Sequence, residues 1–226
     1  MDRKESAAVK EFKPFGVSVK ADGYKDASEA RGHTYTTSDD QFPSTNLACI
    51  DNPYISDVLN AKNILDVGCG VGRNLPWIME NTQAHYWGLD PNESMLKYFW
   101  ELQDKKWESR VTLINEFPQF GIVSPYGCVR VEFDVVVSTL TFQHIGYMAP
   151  ETHMNVSDIT TEIRKFTKDG TVWFLFEHER EDGWILRWAM EQGFYPLDLW
   201  LPNYIGLPEL THRGTDHNLI IHKEKR

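Results

Sequence analysis

The chain has 226 residues, which is enough for one domain with a full hydrophobic core and an appended segment, whereas two independent domains would be cramped. Its 23 Lys and Arg residues stand against 33 Asp and Glu residues, and the net charge of −10 opposes binding to a polyanion such as duplex DNA or structured RNA. We therefore expect no nucleic-acid partner, and the hydrophobic fraction of 41% excludes a chain that is disordered throughout.

The three cysteines, Cys49, Cys69 and Cys128, are too few and too scattered for a disulfide framework or for a zinc site built from paired cysteines. The polar residues 1–10 lack the pattern of a signal peptide, and no window reaches the roughly 18 apolar residues that a membrane span needs. These features predict a cytoplasmic protein that neither enters a membrane nor needs a metal.

Residues 1–55 are polar and show no long helical or strand period. Clusters of turn-forming residues interrupt this stretch, for example Thr37 to Asp40. We therefore interpret residues 1–55 as an N-terminal extension and residues 56–226 as the folded domain, which a short helix over residues 52–60 introduces.

The stretch from Asn63 to Arg73 joins a buried apolar run to a glycine-rich turn. The apolar residues favour a strand of a parallel sheet, and the glycines allow a tight turn and the close approach of a ligand. Asn74 is the predicted N-cap of a helix that begins near Leu75, with Pro76 tolerated in its first turn. The turn glycines are Gly68, Gly70 and Gly72.

The spacing of the turn separates it from the fingerprint of dinucleotide-binding enzymes. That fingerprint, Gly-x-Gly-x-x-Gly, would place its last glycine at position 73, where this chain has Arg73. Instead the third glycine is Gly72, and an acid, Asp66, precedes the first glycine by two positions. A tight strand-to-helix connection without any ligand remains the alternative interpretation.

From Ile64 to Gly72 the chain closely resembles the first motif of the S-adenosylmethionine-dependent methyltransferases with the Rossmann-like, class I fold. The resemblance implies an α/β fold with a seven-stranded, mostly parallel sheet, helices on both faces and a reversed last strand. It implies S-adenosylmethionine as the cofactor, with its methionine end held by the turn. The residues so implied are Asp66, Gly68, Cys69, Gly70, Gly72 and Arg73.

In this family, segments that precede the first motif often fold over the cofactor cleft. By that resemblance residues 1–55 could cap the active site, and Tyr24, Arg31, His33 and Tyr35 could meet the acceptor. The alternative is a terminal tail that packs on the sheet edge or stays loose.

A second apolar run, Ala84 to Leu89, ends in Asp90, about 20 residues after the first glycine. A carboxylate at this spacing can accept hydrogen bonds from two ribose hydroxyls, and the resembling family has an acid there for that purpose. We assign Asp90 and the adjacent Pro91 to the cofactor site. The alternative role for Asp90 is the N-cap of a helix that begins near Pro91.

Residues 111–114 form the predicted third strand, after an amphipathic helix over residues 92–103. In related methyltransferases the end of this strand supplies a polar contact to the adenine amino group and an apolar neighbour against the ring. By that resemblance the adenine contacts are Asn115, Glu116 and Phe117.

Phe133 to Ser138 is the most strand-like run in the chain and forms the predicted fourth strand. Open α/β sheets bind ligands beyond the carboxyl ends of the strands where the strand order reverses, here between the first and fourth strands. Ser138 and Thr139 are therefore predicted cofactor contacts, and the loop that follows them is the predicted reaction centre.

Two residues of this loop are candidate catalytic groups. His144 matches the family's post-strand motif and could take a proton from an acceptor hydroxyl or amine, because histidine titrates near neutral pH. Tyr147 is the second candidate. The alternatives are a pocket-shaping role for His144 and a packing role for Tyr147.

The remaining elements complete the predicted sheet. A helix over residues 155–168 ends at a turn formed by Asp169 and Gly170, and a fifth, buried strand covers residues 171–176. Glu177 and His178 belong to a polar loop that could contact the acceptor but lacks the ligand spacing of a metal site. A helix over residues 184–191 and strands near 194–201 and 217–222 finish the chain.

These features predict a methyltransferase that acts on oxygen or nitrogen of a small-molecule acceptor. A protein or RNA methyltransferase, a non-catalytic cofactor-binding module and a nicotinamide oxidoreductase are the alternatives. The sequence sets neither the identity of the acceptor nor the oligomeric state.

Overall fold

The computed structural model describes residues 27, 30, 55–115, 123–124, 127–128, 131–139, 141–142, 156–178, 184–194 and 217–224. The strands are β1 Asn63–Val67, β2 His85–Leu89, β3 Val111–Ile114, β4 Val123–Ser124, β5 Gly127–Cys128, β6 Phe133–Thr139, β7 Thr167–His178 and β8 His217–Lys223. The helices are α1 Ile55–Leu59, α2 Leu75–Asn81, α3 Glu93–Leu102, a 3-10 helix Lys105–Arg110, α4 Val156–Arg164 and α5 Trp184–Glu191.

Six of these strands form one sheet in the order β3-β2-β1-β6-β7-β8, and β4 with β5 forms a separate antiparallel pair. Every pairing from β3 to β7 is parallel, whereas β8 runs antiparallel to β7. The predicted α/β fold with a mostly parallel sheet is confirmed, whereas the described residues give six of the seven predicted strands, with the last one, β8, antiparallel to its neighbour. The strand predicted over residues 194–201 falls outside the described residues, except for Phe194, which follows α5 without joining a strand.

The hydrophobic core lies on both faces of the sheet because successive strand residues point to opposite sides. Leu65 of β1 packs in a cluster that includes residues of α4 and α5, whereas its neighbour Ile64 packs in a cluster that includes residues of α2 and α3. A sheet covered on both faces explains why its strands read as nearly continuous apolar runs.

The boundary between α4 and β7 differs from the prediction. The helix ends at Arg164 instead of continuing to residue 168, and β7 begins at Thr167. Phe133 donates its N–H to the carbonyl of Phe166, 2.8 Å away, which draws this segment into the sheet. The predicted turn at Gly170 is an irregularity within β7, where the backbone has φ 86° and the register with β6 shifts.

The strand order reverses at β1, because β2 and β3 are added on one side of it and β6 and β7 on the other. Val67 is in register with Leu89 and with Ser138, so the carboxyl ends of the three strands meet at one edge. Ligands of open α/β sheets bind at such an edge. The predicted placement of the site between the first strand and the Phe133–Thr139 strand is thereby consistent with the topology.

Candidate active site

The glycine turn after β1 is built in a conformation that favours glycine. Gly68, Gly70 and Gly72 have φ of 72°, 54° and 89°, which lie in the left-handed region. The N–H groups of Gly68 and Cys69 donate to the carbonyl of Leu89 at 2.7 and 3.1 Å. The turn is therefore fixed to the end of β2, and its other N–H groups lie at the switch-point edge.

Two of these glycines have no room for a larger residue, because neighbouring side chains occupy the space where its Cβ atom would lie. A Cβ atom at Gly68 would lie 2.0 Å from Thr141 Oγ1, and one at Gly72 would lie 2.6 Å from Phe99 Cε2. The positions need glycine both for the backbone angle and for the close approach of neighbouring side chains.

Asp90 faces this turn from the end of β2. Its Oδ2 accepts from the N–H of Gly70 at 2.8 Å, and its Oδ1 accepts from the N–H of Asn92 at 2.8 Å. Burial raises the pKa of Asp90 to about 6, although these two backbone hydrogen bonds lower it. The carboxyl group thus joins the end of β2 to the turn.

The alternative role of Asp90 as a helix N-cap is wrong. Helix α3 begins at Glu93, and its N-cap is Asn92, whose side chain accepts from the N–H groups of Ser94 and Met95. Asp90 instead bonds the N–H of the capping residue and turns its other oxygen to the glycine turn.

Asp66 lies beneath the turn and is 1% exposed. The hydroxyl of Tyr86 donates to its Oδ2 at 2.6 Å, and the amide of Asn74 donates to its two oxygens at 3.1 and 3.2 Å. The same amide lies 3.3 Å from Thr139 Oγ1, to which it also donates. Asp66 therefore belongs to a buried network that links β1, β2, the start of α2 and the end of β6.

Asn74 does not cap α2 in the way that the sequence predicts. The helix begins at Leu75 as expected, but the Asn74 side chain makes no capping hydrogen bond. Its amide is directed to Asp66 instead, because a buried carboxyl group needs donors.

Burial raises the pKa of Asp66 to about 7 against the opposing effect of the Tyr86 and Asn74 hydrogen bonds. The folded state therefore binds a proton between pH 4 and 7 that the unfolded chain has released, so stability falls as the pH rises through this range. Asp90, with its pKa near 6, acts in the same direction.

We expect the wild-type chain to lose more unfolding free energy between pH 5 and pH 8 than Asp66→Asn, by an amount on the order of 2 kcal/mol. The asparagine cannot titrate, so its variant lacks this contribution. Urea unfolding at the two pH values measures both slopes, and equal slopes in the two proteins would contradict the assignment.

Glu177 holds the end of β6 through a hydrogen bond to Ser138, a role that was not predicted from the sequence. The prediction set Glu177 in a polar loop, whereas it is fully buried within β7. Ser138 is fully buried as well and donates its hydroxyl to Glu177 Oε1 at 3.0 Å. Thr139, the last residue of β6, accepts from Asn74, and the roles of Ser138 and Thr139 as cofactor contacts stay predictions.

The structure places the other predicted site residues as follows. Cys69 is buried in the turn, and burial followed by the nearby Asp90 and Asp66 raises the pKa of its thiol well above the ordinary value. Arg73 and Pro91 are half-buried, and Asn115 is exposed at the end of β3. Their roles stay predictions. His144, Tyr147, Glu116 and Phe117 lie outside the described residues, as do Tyr24, Arg31, His33 and Tyr35.

Among the described residues no three His, Cys, Asp or Glu side chains form a group that could hold a metal ion. No helix in that part of the chain combines the length and apolar character that crossing a membrane requires.

A doubly wound sheet, a left-handed glycine turn after β1 and a buried acid after β2 define a nucleotide-type α/β domain. Residues 65–172 match the family model described as a methyltransferase domain. This match covers a little less than half of the chain, and together with the fold it supports a Rossmann-like, class I S-adenosylmethionine-dependent methyltransferase with S-adenosylmethionine as the cofactor.

Solved structures support the same fold. The chain is similar to a protein of Methanococcus maripaludis assigned to the S-adenosyl-L-methionine-dependent methyltransferases, with a TM-score of 0.61, 12% identity, and 89% of this chain and 94% of that chain covered. A second is the S-adenosylmethionine-dependent methyltransferase of Mesorhizobium loti, with a TM-score of 0.56, 15% identity, and 79% and 96% covered. These likenesses concern the fold alone.

A curated relative adds one similarity in sequence. The tRNA U34 carboxymethyltransferase of Idiomarina loihiensis is 28% identical over 153 residues, which cover 60% of this chain and 47% of the relative. The chain thus spans about half the length of the relative that it matches.

Proposed function

We propose that this chain transfers the methyl group of S-adenosylmethionine to an oxygen or nitrogen atom of a small-molecule acceptor. The observation that carries the proposal is the position of Asp90, whose carboxyl group faces the N–H of Gly70 across the turn at the switch point. We further propose that residues 56–226 form the methyltransferase domain and residues 1–55 an extension that could cap the site.

The donor and acceptor groups of the crevice fit this cofactor. A carboxylate offers about four acceptor positions, and Gly70 and Asn92 occupy two of those on Asp90, which leaves positions for the two ribose hydroxyls. The absence of a side chain at Gly68 and Gly72 makes room for the side chains of Thr141 and Phe99, which pack against the turn and hold it in place. In this proposal the turn holds the methionine end, and Asn115, Glu116 and Phe117 lie near the adenine.

The charge of the crevice favours a cationic ligand. Asp66 and Asp90 are close enough that the charge of Asp90 raises the pKa of Asp66, which is dominated by burial. The ionised fraction of the two carboxyl groups attracts a cation such as the sulfonium of S-adenosylmethionine. An acid after the second strand also occurs in dinucleotide-binding enzymes, so the glycine spacing alone ranks the oxidoreductase alternative last.

When bound, S-adenosylmethionine supplies a methyl group that is activated on a sulfonium. The chain then has to hold the acceptor in line with that methyl group and to exclude water, and positioning of this kind can contribute about 7 to 11 kcal/mol to catalysis. We propose His144 as the base for an acceptor that is protonated at working pH, with Tyr147 as the second candidate. Thr139 completes the wall opposite the turn in this proposal, and the buried Ser138 supports that wall from behind.

Methylation of RNA is the second candidate function, because the matching relative is named a tRNA U34 carboxymethyltransferase. The net charge of −10 and the two buried acids oppose a polyanionic acceptor. We therefore favour the small molecule.

The test incubates the purified chain with methyl-labelled S-adenosylmethionine and a cell extract. We expect label in small molecules other than S-adenosylmethionine itself, separated from it by chromatography, at an amount that ribonuclease and protease treatment of the extract beforehand leaves unchanged. Heat-inactivated chain is the control. Label in a ribonuclease-sensitive polymer would assign RNA as the acceptor, and label in a protease-sensitive polymer would assign protein. Binding of S-adenosylhomocysteine without transfer to any fraction would point to a non-catalytic module.

A further inference from the structure

Three hydrogen bonds converge on one oxygen of Glu177. Its Oε1 accepts from the hydroxyl of Ser138 at 3.0 Å, from the N–H of Thr141 at 3.2 Å and from the N–H of Phe142 at 3.1 Å. The Glu177 residue is fully buried, near the carboxyl end of β7. One side chain of β7 thus holds the last part of β6 and the backbone that follows it.

The segment held in this way lies directly on the glycine turn. A Cβ atom at Gly68 would meet Thr141 Oγ1 at 2.0 Å, its Cγ2 at 2.4 Å and its Cβ at 2.6 Å, so the threonine side chain occupies the space that Gly68 leaves open. Thr141 Oγ1 also donates to the carbonyl of Thr139 at 3.3 Å. Thr141 therefore sits between the two walls of the crevice.

The other side of the segment is fixed by aromatic packing. The ring of Phe142 is fully buried and stacks on Trp188 of α5, with centroids 5.1 Å apart and planes 25° apart. The stacking of Phe142 and the hydrogen bonds to Glu177 thus fix the position of the backbone at Thr141 and Phe142. A shift of Thr141 would change the distance between the β6 wall and the turn.

A buried carboxyl group often contributes little to the free energy of folding, even when it is hydrogen-bonded. Replacing buried charged or polar groups by well-packed apolar ones is often neutral or stabilising, whereas such groups can fix one geometry. Two of the three bonds of Glu177 go to the backbone N–H groups of Thr141 and Phe142, and the Thr141 side chain lies where a Cβ atom of Gly68 would stand. This arrangement favours a role in placing that segment.

We infer that Glu177 is a positioning residue, which holds Thr141 against Gly68 and thereby sets the width of the cofactor crevice between β1 and β6. It acts through Thr141 and does not touch the cofactor. The inference rests on the proposed function, because the crevice is taken to hold S-adenosylmethionine.

The test measures the dissociation constant of S-adenosylhomocysteine by calorimetry for the full chain and its Glu177→Ala variant. We expect affinity to fall by about tenfold or more, since misplacement by about 1 Å is enough for large effects at such sites.

Asp134→Ala is the matched control. Asp134 Oδ2 also accepts two backbone N–H groups, from Lys62 and Asn63 at 2.7 and 2.9 Å, but at the opposite, amino ends of the strands. That variant should be less stable and bind with unchanged affinity.

Two conservative variants keep the test decisive if Glu177→Ala does not fold. Glu177→Gln retains an oxygen at the same distance from the backbone, so it should bind S-adenosylhomocysteine nearly as well as the wild type. Glu177→Asp keeps the carboxyl group but withdraws it by one methylene, so it should bind more weakly than Glu177→Gln. The reverse order, or wild-type affinity in every folded Glu177 variant, would overturn the positioning role. Failure of the wild-type chain itself to bind would instead refute the proposed function.

Discussion

Gly68→Ala is expected to lower the free energy of unfolding by about 3 to 5 kcal/mol, the sum of backbone strain and overpacking. The residue has φ 72°, and the new Cβ would lie 2.0 Å from Thr141 Oγ1. Thr141 cannot easily retreat, because its N–H is bonded to Glu177. Urea unfolding followed by circular dichroism measures the change, and any folded variant should also bind S-adenosylhomocysteine more weakly.

Gly193→Ala provides a control with nearly the same backbone angle. Gly193 has φ 73°, but a Cβ atom there would meet nothing within 4 Å. This variant carries the strain without the contact, so we expect a loss of only about 1 to 2 kcal/mol. Equal losses in the two variants would show that the approach of Thr141 to Gly68 has no energetic weight.

Asp90→Ala is expected to weaken the binding of S-adenosylhomocysteine by about 1 to 3 kcal/mol, which is roughly 5- to 150-fold in the dissociation constant. The change removes the acceptor for two ribose hydroxyls and also frees the N–H groups of Gly70 and Asn92. Calorimetric titration of each protein gives the dissociation constant directly. An unchanged value would remove Asp90 from the site.

A comparison of ligands separates these two contributions. The wild type should prefer adenosine to 2′,3′-dideoxyadenosine, and Asp90→Ala should lose that preference if the carboxyl group accepts from the ribose. A preference that survives the substitution would assign the hydroxyls to other residues. Asp104→Ala controls for the change in net charge, because Asp104 is exposed at the start of the 3-10 helix.

The turn and the acid after β2 were predictable because each depends on short-range pattern. The glycines from Gly68 to Gly72 follow an apolar strand, and all three take a left-handed angle that suits the predicted tight turn. Asp90 could be placed at the tip of the next strand by counting along the chain. The mostly parallel sheet and its reversed last strand were expected from the resemblance to the methyltransferase family.

The partners of buried polar groups were not predictable, because they depend on which strands are neighbours and in what register. Asn74 has the sequence context of a helix cap, yet its side-chain amide donates to the carboxyl group of Asp66 in the preceding strand. Glu177 looks like the first residue of a polar loop, and only the pairing of β6 with β7 brings it to Ser138. The predicted start of β7 was wrong for the same reason, because its first residues pair with β6 instead of continuing the preceding helix.

The Cys69 thiol offers a chemical view of the turn's motions. It is buried in the turn, donates weakly to the Gly70 carbonyl 3.7 Å away, and has a raised pKa, so alkylating reagents should meet almost no thiolate in the closed molecule. Modification of this sulfur must therefore await local opening of the segment between β1 and α2. The rate at which Cys69 is alkylated therefore reports how often this segment opens. A ligand that binds to the turn and stabilises its closed conformation should lower that rate.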